Sequence, residues 1–313
     1  MSPKEIQNLP NLDATIAWLL ESPTPSIRYL TLTRILGKPE GDAETQTARR
    51  LIAESSPAKD ILAQQHPEGY WMYRRHIYSP KYRSSHWSMV LLCELGLDAQ
   101  TPALQRGADF MLDKMEKDIL LLKDEEQTHW GCLWANMLRY FLYCGRLADE
   151  RVQLVLDYVC RDVLRGSQCP YNADLPCAWG VIRGLYGLAL IPEAQRDEQS
   201  RVAIQAGLKF MLADHSLLNA NYPNPGKIHP LWSKLSYPLF YSADIPFVLR
   251  TARELNALHY AQAKPGMEWL LSRRHKNGRW NGGSPYQRRT WSFLAEGDSI
   301  SRWITLQALS VIS

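Results

Sequence analysis

Five short segments of this 313-residue chain set a hydroxyl or thiol two positions ahead of a tryptophan or an acid: Ser85 before Trp87, Cys132 before Trp134, Cys177 before Trp179, Ser242 before Asp244 and Ser301 before Trp303. Each pair opens an apolar run at helical spacing, so the set forms two tiers at helix starts. Helix N-termini carry unpaired N–H groups and positive partial charge, which suits a polar or anionic substrate head, with the tryptophans walling an apolar chamber below. Cys132 and Cys177 share a tier, and Cys169 lies in the loop just before the second. Three converging thiols could hold zinc, with His86, His129, Asp174 or Asp244 as a fourth ligand or with an open water position. Helix N-termini also lower thiol pKa values. Cys93, Cys144 and Cys160 fall deeper in apolar runs and read as core. His86 stands at a helix start and is the preferred general base or ligand. Asp244 is the only acid at its tier, and a carboxylate in an aromatic chamber has a raised pKa and can act as an acid. Tyr241 joins His86 and Asp244 as a candidate catalytic group. Lys81, Tyr82 and Arg83 precede the same opening and could grip a diphosphate or carboxylate. Trp87, Trp134, Trp179, Trp303 and Tyr237 complete the substrate contacts. Tyr237, Tyr241 and His229 border or lie in a long Pro- and Asn-rich stretch, 219–238, of the kind that forms a lid or binding loop.

The elements that would position these groups come from a repeat. A helical signature of an aromatic flanked by aliphatics recurs at Trp18, Phe110, Tyr158, Phe210 and Trp269, with a period of about 50 residues. A second, more apolar helix precedes most copies: Trp87–Leu95, Trp134–Tyr143, Trp179–Leu190, Asp244–Leu255 and Trp303–Ile312. Two helices per period make an αα-hairpin repeat, and no period-two strand run competes with it. The expected fold is all-α: five to six helical hairpins closed into an α/α toroid, one unit over residues 1–313. The net charge of +4 and the lack of a Lys/Arg-rich run argue against nucleic acid as a partner. No stretch is long and apolar enough for a transmembrane segment, and the polar start lacks a secretory h-region, so a cytoplasmic location is expected. Eleven Trp and fifteen Tyr against six Phe favour rings with a polar handle, as cavity walls need.

Two segments, Gln64-Gln65-His66-Pro67-Glu68-Gly69-Tyr70-Trp71 and Arg274-His275-Lys276-Asn277-Gly278-Arg279-Trp280, resemble the Gln/Gly/Trp turn repeats of the terpenoid cyclase and protein prenyltransferase superfamily. The segments around Tyr237–Tyr241 with Asp244, and Ser301–Leu306, look most like its small prokaryotic squalene-cyclase-like members. The resemblance implies a toroid and a hydrophobic, isoprenoid-like substrate in an aromatic cavity. The polyene-protonating Asp-x-Asp-Asp run, the Asp-rich magnesium motif and the Asp-x-Cys zinc pair of that superfamily do not occur here. Three further classes stay open on these residues. They are a zinc-dependent hydrolase or transferase built on the cysteine tier, a carbohydrate-active α/α-toroid lyase or glycosidase, and a non-catalytic binding module.

Overall fold

Proline and aspartate mark where helices begin. Pro25 and Pro102 open two of them, where a missing N–H costs nothing. Asp42, Asp149 and Asp197 cap three others by accepting backbone N–H groups, and each is followed by a glutamate in the first turn. The computed structural model describes residues 9–124, 130–214, 217–218, 228–291 and 299–312. Among them thirteen α-helices occur: α1 Leu12–Leu20, α2 Pro25–Arg34, α3 Ala43–Glu54, α4 Ala58–Leu62, α5 Ser85–Glu94, α6 Pro102–Leu120, α7 Gly131–Tyr143, α8 Glu150–Leu164, α9 Ala178–Leu188, α10 Glu198–Lys209, α11 Ile245–Glu254, α12 Lys264–Ser272 and α13 Ser299–Ile312. No extended strand occurs among the described residues, only isolated bridges such as Cys169 with Leu175. The protein is all-α, as its periodicity predicts. No described helix is long and apolar enough to cross a membrane.

The helices fall into two classes. In α1, α3, α6, α8, α10 and α12 a stripe of residues is buried and the rest face outward. In α2, α5, α7, α9, α11 and α13 burial runs nearly all round: every residue of α9 is buried, as is the span from Arg302 to Ile312. Helices apolar on all sides belong in a core. The six enclosed helices touch in the succession α5, α7, α9, α11, α13, α2. Tyr29 of α2 lies against Gly96, just beyond α5. The C-terminal ends of all six border one pocket of about 480 Å³ that includes Arg34, Cys93, Arg139, Leu190, Arg253 and Ser310. Five of these enclosed helices match the sequence expectation closely. The sixth, α2, carries Ser, Arg and Thr among its apolar residues, which hides it from a pattern search.

The two Gly/Trp turns have one geometry. In each, a histidine N–H reaches a carbonyl four residues on at 2.8 Å, His66 to Tyr70 and His275 to Arg279. Gly69 and Gly278 adopt φ of +97° and +86°, where a side chain would be strained. The tryptophan that follows is fully buried, and its indole N–H donates at 2.8 Å to the carbonyl ten residues upstream: Trp71 to Ile61, Trp280 to Leu270. Its backbone N–H is held at 3.0 Å by a hydroxyl of the next enclosed helix, Ser85 in α5 or Thr305 in α13. Each turn thus ties the end of one helix to the next enclosed helix through one ring.

Candidate active site

The loop between α8 and α9, residues 165–177, is shaped by a buried polar pair and two bare stretches of helix. Ser167, at φ +50°, donates to the buried Asp162 carboxylate at 2.6 Å. A Cβ on Gly131, the first residue of α7, would stand 2.1 Å from that carboxylate, and one on Gly180 in α9 would stand 1.9 Å from the Ser167 hydroxyl. Only bare backbone at both helix starts admits the loop. The Cys169 carbonyl then accepts N–H groups from Asn172 and Asp174 at 2.8 and 2.9 Å, and the Cys177 N–H returns to Gly166 at 2.9 Å. Ala173 and Asp174 follow Ser167 in the left-handed region, at φ +53° and +56°. Three such non-glycine residues in eight positions store strain of about 1 kcal/mol or more each, as functional loops do.

This packing brings Cys132, Cys169 and Cys177 to one pocket of about 320 Å³, together with Lys81, Trp179 and Tyr241. Six of the sequence-derived candidates therefore meet. Tyr78, Trp130 and Tyr171 complete the wall. Trp130 and Tyr171 stand edge to face at 5.6 Å, with 43% and 71% of their surfaces exposed at the rim. Exposed rings that converge on a cavity mark a ligand surface rather than a core. The Lys81 ammonium lies 5.4 Å from the Tyr78 ring and 4.9 Å from the Tyr241 ring, a cation held between two π faces.

The thiols differ sharply. Cys169 is half-buried; the neighbouring Cys177 thiol first, then, against the effect of burial, the backbone N–H groups at Tyr171 and Asn172, draw its pKa down to about 6. Cys177 is buried at the N-cap position of α9; its interaction with Cys169, then burial, push it well up. Loss of hydration, reinforced by the neighbouring Cys169, pushes Cys132 up to about 12. The lowered Cys169 therefore favours the thiolate near neutrality, while the raised Cys177 and Cys132 favour the thiol. Burial also lifts Asp162 to about 6, with the Ser167 bond opposing. Among the described residues no group of three or more His, Cys, Asp or Glu side chains is gathered to hold a metal ion. His129 lies outside the described residues, as does 219–227 of the lid segment.

The other candidates stand elsewhere. His86 is wholly buried against Trp87 at 4.6 Å and Tyr140 at 5.8 Å, behind the pocket wall formed by Tyr78. Neither ring nitrogen has a hydrogen-bond partner, and burial, with Arg183 nearby, pushes its pKa down to about 3, so it stays neutral. Trp87 and Tyr82 form a second layer of rings beneath Tyr241, with Phe240 and Tyr286. Trp134 packs outward on Tyr158, and Trp303 stacks on Tyr237 at 4.2 Å. Arg83 is exposed beside Trp291. Asp244 caps α11, accepting from Phe247 and Ser236 at 2.9 and 3.1 Å. It borders a separate void of about 20 Å³ with Glu94, Tyr237, Arg250 and Gln307, room for one water molecule. Burial raises Asp244 to about 7 despite its two N–H donors.

Sequence reasoning passed over Asp162, Ser167, Gly131, Gly180, Trp130 and Tyr171. One signal was available: a Trp–Gly pair flanks two of the three cysteines, as Trp130-Gly131-Cys132 and Cys177-Ala178-Trp179-Gly180. No protein-family profile, no curated protein and no solved structure matches the chain.

Proposed function

We propose that the six hairpins close into an α/α toroid, and that the N-terminal mouth of its enclosed helices is the active site of an enzyme for a hydrophobic, isoprenoid-like molecule with an anionic head. The ring closure is supported by the succession of helix contacts and by the six C-terminal ends around one pocket. The shared geometry of the two Gly/Trp turns supports kinship with the terpenoid cyclase and prenyltransferase superfamily. One observation carries the functional assignment: Lys81, an aromatic wall and the Cys169 sulfur face the same pocket of about 320 Å³. That volume suits a small ligand. The rings of Tyr78, Trp130, Trp179 and Tyr241 would bury the apolar body at about 25 cal/mol per Å². Their faces would stabilise a cationic centre by roughly 0.5–2 kcal/mol each. Lys81 and the starts of α7 and α9 would hold the head group. Asp244 faces a different chamber, so the polar step falls to groups of this pocket.

Titration with farnesol and with farnesyl diphosphate, followed by tryptophan fluorescence, tests the assignment. Both ligands should bind. Trp179→Ala should weaken both at least fivefold, while Lys81→Ala should weaken only the diphosphate. Binding of neither prenyl compound, with saturable binding of an oligosaccharide instead, would replace it with the carbohydrate-active class.

A further inference from the structure

Two pairs of neighbouring thiols occur among the described residues, and they differ in exposure. Cys93 and Cys144 interact side chain to side chain near the ends of α5 and α7, both buried, and burial pushes Cys93 well up. Cys169 and Cys177 are also neighbours, and both line the pocket of about 320 Å³, Cys169 half-buried in the strained loop and Cys177 buried at the N-cap position of α9. A half-exposed sulfur and a buried one on the wall of a single pocket is the layout of an attacking and a resolving thiol. From this geometry we propose that Cys169 and Cys177 form a redox dithiol that reduces an organic hydroperoxide bound in the aromatic pocket.

The Cys169 thiolate attacks the terminal oxygen of R–O–O–H. The S–O bond forms, the O–O bond breaks, and the departing alkoxide takes a proton from solvent to leave as R–OH. The Cys177 sulfur then attacks the Cys169 sulfenic acid. The S–S bond forms, the S–O bond breaks, and hydroxide leaves as water with the Cys177 proton. Two thiols lose two electrons, and the peroxide gains them. An external dithiol returns the pair to the reduced form. The low pKa of Cys169, drawn down by N–H donors and the partner thiol, keeps the attacking form populated near neutrality. The inference rests on the pocket admitting a small apolar molecule, though not on that molecule being isoprenoid.

Reduced full-length protein is mixed with cumene hydroperoxide, and its cysteines are mapped by non-reducing peptide mass spectrometry. A Cys169–Cys177 disulfide should form while Cys93, Cys144 and Cys160 stay reduced. Cys177→Ser should stop at a Cys169 sulfenic acid that dimedone traps, and Cys169→Ser should consume no peroxide, with circular dichroism confirming that both variants fold. Alkylation of Cys169 by iodoacetamide should follow a midpoint near pH 6, roughly tenfold faster at that pH than an unperturbed thiol. Cys169 reacting no faster than Cys160, or one zinc per chain by elemental analysis shielding all three pocket thiols, overturns the proposal. If prenyl ligands fail to bind but the disulfide forms, the isoprenoid assignment falls and the dithiol stands; prenyl binding without oxidation gives the reverse.

Discussion

The two ends of the enclosed helices are built from opposite chemistry. At the C-terminal end arginines dominate, and two of them pair with protein groups: Arg139 reaches Glu254 at 2.9 Å and the Tyr186 carbonyl, and Arg253 donates to the Ser310 carbonyl at 3.1 Å. Just inside, the buried Arg250 meets Glu94 at 3.4 Å. At the N-terminal end stand a thiolate, a lysine between rings, bare glycines and exposed aromatics. Helix polarity explains the arginines and the thiolate, since exposed carbonyls favour guanidinium and exposed N–H groups favour an anion, while Lys81 stands against that sign and is held by the rings. Satisfaction explains the roles. Arg139, Arg250 and Arg253 of one end reach protein carboxylates and carbonyls, whereas Cys169 and Lys81 of the other line a pocket.

That contrast can be attacked in order of expected effect. Arg250→Ala strands the partly buried Glu94 carboxylate. Burial alone would raise Glu94, and Arg250 with Arg183 more than offsets it. Removing one partner of such a pair costs about 3–5 kcal/mol, visible in chemical denaturation, while hydroperoxide and ligand chemistry in the surviving folded fraction should persist. Gly180→Ala should cost about 1–3 kcal/mol by forcing a methyl onto Ser167, and should slow Cys169 alkylation as the loop shifts. An unchanged alkylation rate would separate the loop from the thiol's reactivity.

The third effect is a slope rather than a loss. Asp244 has a folded-state pKa of about 7, above its unfolded value, so the native state binds the extra proton between the two. Its contribution to stability is fully present below about pH 4 and is lost as pH rises through 7. Asp162, raised to about 6, acts in the same sense over a narrower window. The midpoint of thermal unfolding of Asp244→Asn, relative to the parent, should therefore rise across pH 4 to 7; a flat difference would mean Asp244 is ionised throughout. The smallest effect on stability is Trp130→Ala at the exposed rim, within about 0.5 kcal/mol. Its mark should be weaker ligand binding alone, measured by the same fluorescence titration through the remaining tryptophans.

Helix existence, the enclosed character of α5, α7, α9, α11 and α13, and the two Gly/Trp turns were legible in the chain, because periodicity and turn chemistry are local properties. The convergence of Cys132, Cys169 and Cys177 was legible too, since two sit at helix starts and the third in the loop between. The tier rule failed as a guide to which way a side chain points. It treats all enclosed helices as equally rotated, yet each residue turns the direction by about 100°. Trp179 lines the pocket, while Trp87 stands one ring behind it and Trp134 and Trp303 pack elsewhere. Asp244 binds its own helix start instead of a shared mouth.

The amino-acid sequence alone determined the repeat, the helix starts and the residue types available at them, since these depend on neighbours a few positions apart. Only the tertiary structure decided that Cys169 would be a half-exposed thiol and Cys93 a buried one, and that Asp162 and Ser167 would matter at all. Those outcomes depend on which backbone comes close enough to donate an N–H or exclude water, and Gly131 and Gly180 grant that approach across α7, α8 and α9 together.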